Sequence, residues 1–184
     1  GIADFLIAAN NADPAGSNSG AVYVVFGSTS AFSPTLALSS LTGANGFQIN
    51  GVSASDFAGY SASNAGDVNN DGIDDIIIGA TGAGVSSSGE AYIVYGKTSG
   101  FAANFDLSSL NGANGFKVVG AAASDEFGSS VSAAGDINND GIDDVIIGAR
   151  SATGAGGGFG GRGYVVFGSG GGFAASVNAT ALNG

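Results

Sequence analysis

The most constraining feature of the sequence is a repeat with a period of 69 residues, measured from Leu38 to Leu107. Leu38–Phe47 returns with one substitution as Leu107–Phe116, and Asp67–Asp75 returns with one substitution as Asp136–Asp144. A third copy is divided between the two ends of the chain. A period of this size indicates a fold of stacked units, because each unit buries its apolar surface only against its neighbours.

In this register the units are 1–71, 72–140 and 141–184, with the last one incomplete, and together they form one continuous segment. Asp75–Ala80 and Asp144–Ala149 are short β-branched runs, which is typical of strands buried on both faces. The other predicted strands are Val22–Gly27, Phe47–Gly51, Tyr60–Gly66, Ala91–Gly96, Phe116–Gly120, Gly128–Gly135 and Gly163–Gly168. Four strands per unit predict an all-β fold of antiparallel four-stranded β-propeller blades.

Two nine-residue loops rich in aspartate, called here Asp loops, lie where one unit passes into the next. Asp67, Asn69, Asp71 and Asp75 occupy positions 1, 3, 5 and 9 of the first loop, and Asp136, Asn138, Asp140 and Asp144 occupy the same positions of the second. Alternate oxygen side chains point toward one centre, and a glycine at position 6 permits the sharp turn. The main-chain oxygen at position 7, on Ile73 or Ile142, adds a ligand. Hard oxygen ligands in a flexible loop predict calcium.

Two other interpretations of these loops were considered. An EF-hand needs an acidic residue at position 12, and this position is Ile78 or Ile147, inside a predicted strand. An Asx-rich turn held by its own side-chain hydrogen bonds, with no ion, remains an alternative. Like charges converging without a cation would be costly, and a second copy with the same residue at every ligand position argues against coincidence. We therefore favour a calcium site in a loop between two strands.

Three further aspartates extend this prediction. We expect Asp74 and Asp143, at position 8, to point away from the ion and face solvent. Asp4 is position 9 of a third loop, which would hold calcium only if a missing or neighbouring segment supplied the other ligands. Eight of the fifteen acidic residues lie in the two complete loops, so two bound Ca²⁺ ions would move the formal charge from −11 to −7.

Composition excludes several classes of function. The chain has no cysteine and no histidine, so it can form neither a disulfide framework, nor a Cys/His zinc site, nor a Ser–His nucleophile pair. Four basic residues are too few for a nucleic-acid surface. No apolar run approaches the roughly 18 residues that cross a bilayer, so we expect no membrane insertion. The chain also lacks methionine, and we expect it to be a piece of something longer.

Other motifs are weak. Gly156, Gly158 and Gly161 satisfy G-x-G-x-x-G, but they lead into a predicted strand, whereas a phosphate cradle needs a helix N-terminus. Glu90 and Glu126 are the only glutamates, and no carboxylate pair outside the Asp loops stands out. We therefore predict a protein that is not an enzyme. Aromatic residues at repeated positions are expected to form the packing between blades.

The Asp loops, each followed by a β-branched run and Gly-Ala and preceded in one unit by Phe127–Gly128, resemble FG-GAP repeats. These are the calcium-binding blade repeats of the integrin α-subunit propeller, also found in bacterial surface proteins. The resemblance implies a seven-bladed propeller of roughly 480 residues, of which this chain would hold about two and a half blades. The units of this chain are close to one another in sequence, as in the bacterial members of the family. This resemblance implies an extracellular or cell-surface location.

The sequence departs from the family pattern in two places. The family's Gly-Ala-Pro ends here as Gly79–Ala80–Thr81 and Gly148–Ala149–Arg150. In unit 1–71 Phe57 comes one residue early relative to Phe127 of unit 72–140, which in a strand would turn it to the other face unless a bulge or Tyr60 compensates.

Three functions follow as hypotheses. The first is a calcium-binding, non-enzymatic extracellular adhesion or structural module whose variable loops, 12–20, 81–89 and 151–163, contact a protein or carbohydrate surface ligand. The second is an accessory domain of a larger secreted hydrolase. The third is a self-assembling surface or filament protein, in which a neighbouring chain completes the blades by strand addition.

Overall fold

The computed structural model describes residues 2–153 and 158–182, and this part of the chain contains twelve β-strands and no α-helix. The strands are β1 Phe5–Ala9, β2 Ala21–Val25, β3 Gly46–Asn50, β4 Ala58–Gly66, β5 Asp75–Ala80, β6 Glu90–Val94, β7 Asn104–Asp106, β8 Gly115–Val119, β9 Phe127–Gly135, β10 Asp144–Ala149, β11 Arg162–Val166 and β12 Ser176–Asn178. Short 3₁₀ turns occupy Leu38–Ser40, Val85–Ser87, Leu107–Ser109 and Ala179–Ala181. The all-β prediction is confirmed.

The strands form three sheets, named here in chain order. The first sheet has the order β1-β2-β3-β7, the second β4-β5-β6-β8-β12, and the third β9-β10-β11. Within the second sheet β4, β5, β6 and β8 are antiparallel neighbours, which is the four-stranded arrangement of a propeller blade. The bounds predicted for β5 and β10 agree with the structure, because each run is delimited by an aspartate and a Gly-Ala pair.

The side chains of the second sheet alternate between two cores. Ile77 and Ile93 belong to a cluster shared with the third sheet, in which Val145 and Ile147 are also buried. Ile78 and the other buried residues that point to the opposite face belong to a cluster shared with the first sheet. Successive residues of a strand point to opposite faces, so a strand covered on both faces is apolar throughout. The sequence of β5 is such a run.

Two three-residue strands link neighbouring sheets. β7 follows β6 in the chain but pairs in parallel with β3 of the first sheet, and β12 pairs in the same way with β8 of the second. Aromatic stacking accompanies both crossings, since Phe101 stacks on Phe47 and Phe173 on Phe116, each pair with ring centroids 4.1 Å apart. The expectation that repeated aromatics form the inter-blade packing is confirmed for these pairs.

The early phenylalanine of unit 1–71 is accommodated outside the strand. Phe57 has φ +56°, which matches Glu126 at the equivalent position, where φ is +54°. Ala58 then takes the buried place that Phe127 occupies in the next unit, with exposures of 1% and 0%. The main chain therefore keeps its register, and Phe57 does not turn to the other face of β4.

Candidate metal centre

The two Asp loops occupy equivalent places in the second and third sheets. Residues 67–75 connect β4 to β5, and residues 136–144 connect β9 to β10. In both cases the last loop residue is the first residue of the following strand. Residue 70 or 139 has φ +60°, and the glycine after the position-5 aspartate has φ +84° or +88°, so each loop turns sharply at the point where the sequence predicted it.

The side-chain oxygens of the first loop converge on its own main chain. Oδ1 of Asp67 and Oδ1 of Asn69 both accept a hydrogen bond from the amide of Asp71, at 2.9 and 3.1 Å. The amide of Gly72 donates to the other Asp67 oxygen at 2.8 Å, and the amide of Ile73 donates to Asp71 at 2.9 Å. Two oxygens that share one donor must lie close together, so positions 1 and 3 face a common point.

The second loop reproduces this arrangement. Asp136 and Asn138 both accept from the amide of Asp140, at 3.0 and 2.9 Å. The amides of Gly141 and Ile142 donate to Asp136 and Asp140, each at 2.9 Å. The same bonds made twice, 69 residues apart, show that the motif and not its surroundings determines the loop conformation.

The position-9 aspartate joins each loop to the segment that follows the next strand of its sheet. Asp75 is 1% exposed and accepts from the amides of Val68 and Gly96, at 3.1 and 2.9 Å. Asp144 does the same with the amides of Ile137 and Gly168. Each of these carboxylates therefore joins three points of the chain that are distant in sequence.

Burial raises the pKa of Asp75 to about 7, although the two amide donors lower it. The carboxylates of Asp71 and Asp67 raise it further. The hydroxyl of Tyr95 is buried without a hydrogen-bond partner among the described residues, and burial followed by the charges of Asp75 and Asp71 raises its pKa to about 12. The carboxylates of this loop thus disfavour ionisation of both Asp75 and Tyr95.

Within residues 2–153 and 158–182, no three His, Cys, Asp or Glu side chains converge as a metal site. Each Asp loop contributes an asparagine at position 3 and a main-chain oxygen at position 7, and its position-9 carboxylate faces main-chain amides. The donor set consists of oxygen throughout, which fits Ca²⁺ chemistry. The hydrogen bonds in the loops are also those of the Asx turns considered as the alternative.

The two position-8 aspartates differ, which corrects one expectation. Asp74 is exposed, as predicted, and accepts from the side-chain amide of Asn64 at 3.1 Å. Asp143 is half-buried, and its Oδ2 accepts from the main-chain amide of Asp67 at 2.9 Å. The prediction for Asp143 was wrong because alternation along one strand takes no account of the neighbouring sheet, whose loop lies within reach.

The remnant of the third loop lies beside a cavity. Asp4 accepts from the amide of Gly27 at 2.7 Å, which repeats the bond between Asp75 and Gly96. A cavity of about 500 Å³ separates β1 from the second sheet here, lined by apolar side chains together with Asp4, Asp74 and Lys97. The structure thus retains the position-9 contact of a third loop.

Neither glutamate belongs to the Asp loops. Glu90 is 5% exposed and accepts from the hydroxyl of Tyr92 at 2.5 Å and from Lys117 Nζ at 2.8 Å. This buried network was not predicted, and no signal could have found it, because Glu90 and Lys117 are not repeated in the other units. Glu126 pairs with Arg150 on the surface.

Several residues that do not follow the repeat lie at the end of the strands opposite the Asp loops. The guanidinium of Arg150 lies 5.3 Å from the ring centre of Tyr60 and donates to its hydroxyl at 2.6 Å. Phe159 is 89% exposed. Of the G-x-G-x-x-G glycines, Gly156 lies outside the described residues, and the motif leads into β11, as expected.

Comparison with known proteins bears on this arrangement. The family model for the FG-GAP repeat matches residues 58–95 and 127–166. Integrin alpha pat-2 of Caenorhabditis elegans is 32% identical over 91 residues, which is 50% of this chain and 7% of that protein. The described residues include no helix long and apolar enough to span a membrane. Each family match begins at the first strand of its sheet, β4 or β9, and contains one complete Asp loop, so the two stretches that match the FG-GAP repeat fold as antiparallel strands of the second and third sheets.

Proposed function

We propose that the chain is a calcium-stabilised, non-enzymatic extracellular module of adhesion or structural type. Each Asp loop binds one Ca²⁺ through the side chains at positions 1, 3, 5 and 9 and the main-chain oxygen at position 7. These ligands are Asp67, Asn69, Asp71, Ile73 and Asp75 in the first loop and Asp136, Asn138, Asp140, Ile142 and Asp144 in the second. Asp4 would contribute to a third site only with ligands from another segment.

The observation that carries this proposal is the convergence of oxygens at positions 1 and 3, made identically in both loops. Electrostatics support it, because the charges of Asp71 and Asp67 oppose ionisation of the buried Asp75. A divalent cation between these groups would convert that repulsion into attraction. Calcium sites of extracellular modules bind at roughly 10⁻⁴–10⁻³ M, which is enough for saturation outside cells.

The role of calcium in this proposal is to stiffen a blade. It would tie the loop to both strands that flank it, adding to the bonds that the position-9 carboxylate already makes. Binding to the folded state alone stabilises it by about 2.7 kcal/mol per site when calcium is at a hundredfold excess over Kd. The melting temperature should therefore rise with calcium concentration.

The test separates an ion site from an Asx turn. Asp71→Asn combined with Asp140→Asn keeps the oxygen that accepts from Ile73 or Ile142 but removes one charge from each loop. Calorimetric titration of the parent should give two calcium equivalents, and the paired variant should bind at least tenfold more weakly. Asp74→Asn is the matched control outside the ligand set. If calcium leaves the melting temperature of the parent unchanged from its value in EDTA, the calcium proposal is wrong.

The proposed contact surface for a partner lies at the blade ends away from the Asp loops. Tyr60 and Arg150 present an aromatic ring and a guanidinium there, and Phe159 and Val85 are 89% and 83% exposed. Aromatic and arginine side chains are the residues enriched where proteins bind partners. We assign this surface to a protein or carbohydrate ligand outside the cell, as in the extracellular, bacterial type of repeat that the sequence resembles.

This assignment can be tested on immobilised glycans and extracellular matrix proteins. Any binding by the parent should fall at least tenfold in Phe159→Ser and in Tyr60→Ala, and should be unchanged in Asp74→Asn, which lies at the Asp-loop end of the strands. Binding that survives both aromatic substitutions would place the contact elsewhere.

A second proposal, self-assembly, rests on strand edges. Within the described residues, β1 and β11 each pair along one edge only, so each offers unpaired main-chain groups. Open edges of this kind favour strand addition by a second copy. Light scattering at micromolar concentration should then show dimers or larger species, and a strictly monomeric chain would overturn the proposal.

A further inference from the structure

The two Asp loops touch each other across the interface between the second and third sheets. Oδ2 of Asp143 accepts from the amide of Asp67 at 2.9 Å. The amide of Asp143 in turn lies 3.4 Å from the main-chain oxygen of Asp67. Position 8 of one loop therefore contacts both the main-chain amide and the main-chain carbonyl of position 1 of the preceding loop.

Glycine at position 66 makes this contact possible. A Cβ atom on Gly66 would lie 2.3 Å from Oδ2 of Asp143 and 2.6 Å from its carboxyl carbon, which no side chain permits. The equivalent Gly135 has nothing within 4 Å of the same point. Both glycines have similar positive φ angles, +73° and +67°, so they differ in the contact and not in the backbone conformation.

A second hydrogen bond adds to this contact between the two Asp loops. Ser169 directly follows Gly168, whose amide donates to Asp144, and the amide of Ser169 donates to the main-chain oxygen of Val68 at 2.9 Å. Residues 67 and 68 are therefore held at two points, by Asp143 and by Ser169. Asp144 connects these two points, because it follows Asp143 in the chain and accepts from the amide of Gly168 at 2.8 Å.

We propose that Asp143 is a positioning residue that couples calcium binding in the two Asp loops. The inference rests on the proposed function, since it assumes an ion in each loop. Asp143 precedes Asp144 in the chain, so ordering of residues 136–144 around an ion fixes the carboxylate that holds Asp67. Occupancy of the second loop then raises the calcium affinity of the first, and linkage requires the reverse effect to be equal.

The test needs a separate readout for each loop. The amides of Gly72 and Gly141, at position 6, report their own loops in a calcium titration followed by nuclear magnetic resonance. In Asp143→Ala the first loop should bind calcium about tenfold more weakly, the usual effect of removing a group that orients a ligand. Asp74→Ala removes the equivalent carboxylate, which makes no contact with another loop within the described residues, and should leave the first loop unchanged.

Coupling itself is measured by a double-mutant cycle. Asp140→Asn, which disables the second loop, should weaken calcium binding at Gly72 in the parent. The same substitution should have no further effect there when Asp143 is already alanine. Additive effects in the cycle would show that the loops bind independently and would overturn the inference.

Two further measurements distinguish the proposed effect of Asp143→Ala from misfolding of the variant. Without calcium, hydrogen exchange at the Asp67 amide should be faster in Asp143→Ala than in the parent, while the spectrum elsewhere is retained. Gly66→Ala should reproduce the loss of affinity at Gly72 more strongly than the matched Gly135→Ala. If the parent binds no calcium at either loop, the proposed function fails. If it binds at both and Asp143→Ala matches Asp74→Ala, the coupling alone is wrong.

Discussion

Gly79 of β5 lies against Gly128 of β9 so closely that a Cβ on Gly79 would come within 1.9 Å of the Gly128 oxygen. Two main chains therefore meet with no side chain between them, at the interface of the second and third sheets. Neither partner can move far, because both belong to paired strands.

A methyl group at Gly79 should consequently destabilise the fold. We expect Gly79→Ala to lower the free energy of unfolding by about 3 kcal/mol, the upper range for overpacking a core. At the equivalent Gly148 the nearest atom is the hydroxyl oxygen of Ser130, which can rotate away, so Gly148→Ala should cost about 1 kcal/mol or less. Urea unfolding of both variants is the measurement, and equal losses would contradict the prediction.

Asp75 should matter for stability even without calcium. Asp75→Ala leaves the amides of Val68 and Gly96 without their acceptor, and each buried donor left unsatisfied costs about 1–3 kcal/mol. We expect a loss of about 3 kcal/mol in thermal or urea unfolding at pH 8 in EDTA. The exposed neighbour Asp74 supplies the control, since Asp74→Ala should change stability by about 0.5 kcal/mol at most.

The tyrosines at 95 and 92 should respond in opposite directions to loss of the hydroxyl. Tyr95 has no hydrogen-bond partner for its hydroxyl in the described residues, and the equivalent positions are Phe26 and Phe167. Tyr95→Phe should therefore stabilise the metal-free protein by about 1 kcal/mol, by removing an unpaired buried group. Tyr92→Phe should destabilise it by a similar amount, because the hydroxyl of Tyr92 donates to Glu90. Differential scanning calorimetry in EDTA would show two shifts of opposite sign, and a destabilised Tyr95→Phe would contradict this account.

The two glutamates should also differ. Glu90→Ala removes the acceptor of Tyr92 and Lys117 from a buried site, and should lower the free energy of unfolding by about 2 kcal/mol. Glu126→Ala should have a much smaller effect, because its pair with Arg150 is exposed to solvent.

The pH dependence of the exposed pair has a defined sign. The hydrogen bond from Arg150 lowers the pKa of Glu126 below its usual value of 4.5. Any stabilisation by this pair is present above pH 4.5 and is lost as the pH falls through the lowered pKa. A difference between parent and Glu126→Ala that grew as the pH fell below 4.5 would contradict this assignment.

The features that could be predicted from the sequence are those with a local signal. The Asp loops, the β-branched run of β5 and its copy in β10 were identified because pattern and position repeat together. β7 and β12 were not predicted, since each has only three residues and its partner strand lies in another unit. The contact between Asp143 and Asp67 was missed for the same reason, because it depends on how two sheets pack and not on either strand.

The alternation of Ile77 and Ile78 between two cores has a consequence for how such a chain can lengthen. Neither cluster is contained in one repeat, so a single unit has no core of its own. The interface between neighbouring sheets must therefore be conserved when units are copied. Duplicating a whole unit recreates the same interface, so no new set of packing contacts is required. A gene can therefore gain or lose multiples of this period while every junction keeps the geometry of its predecessors.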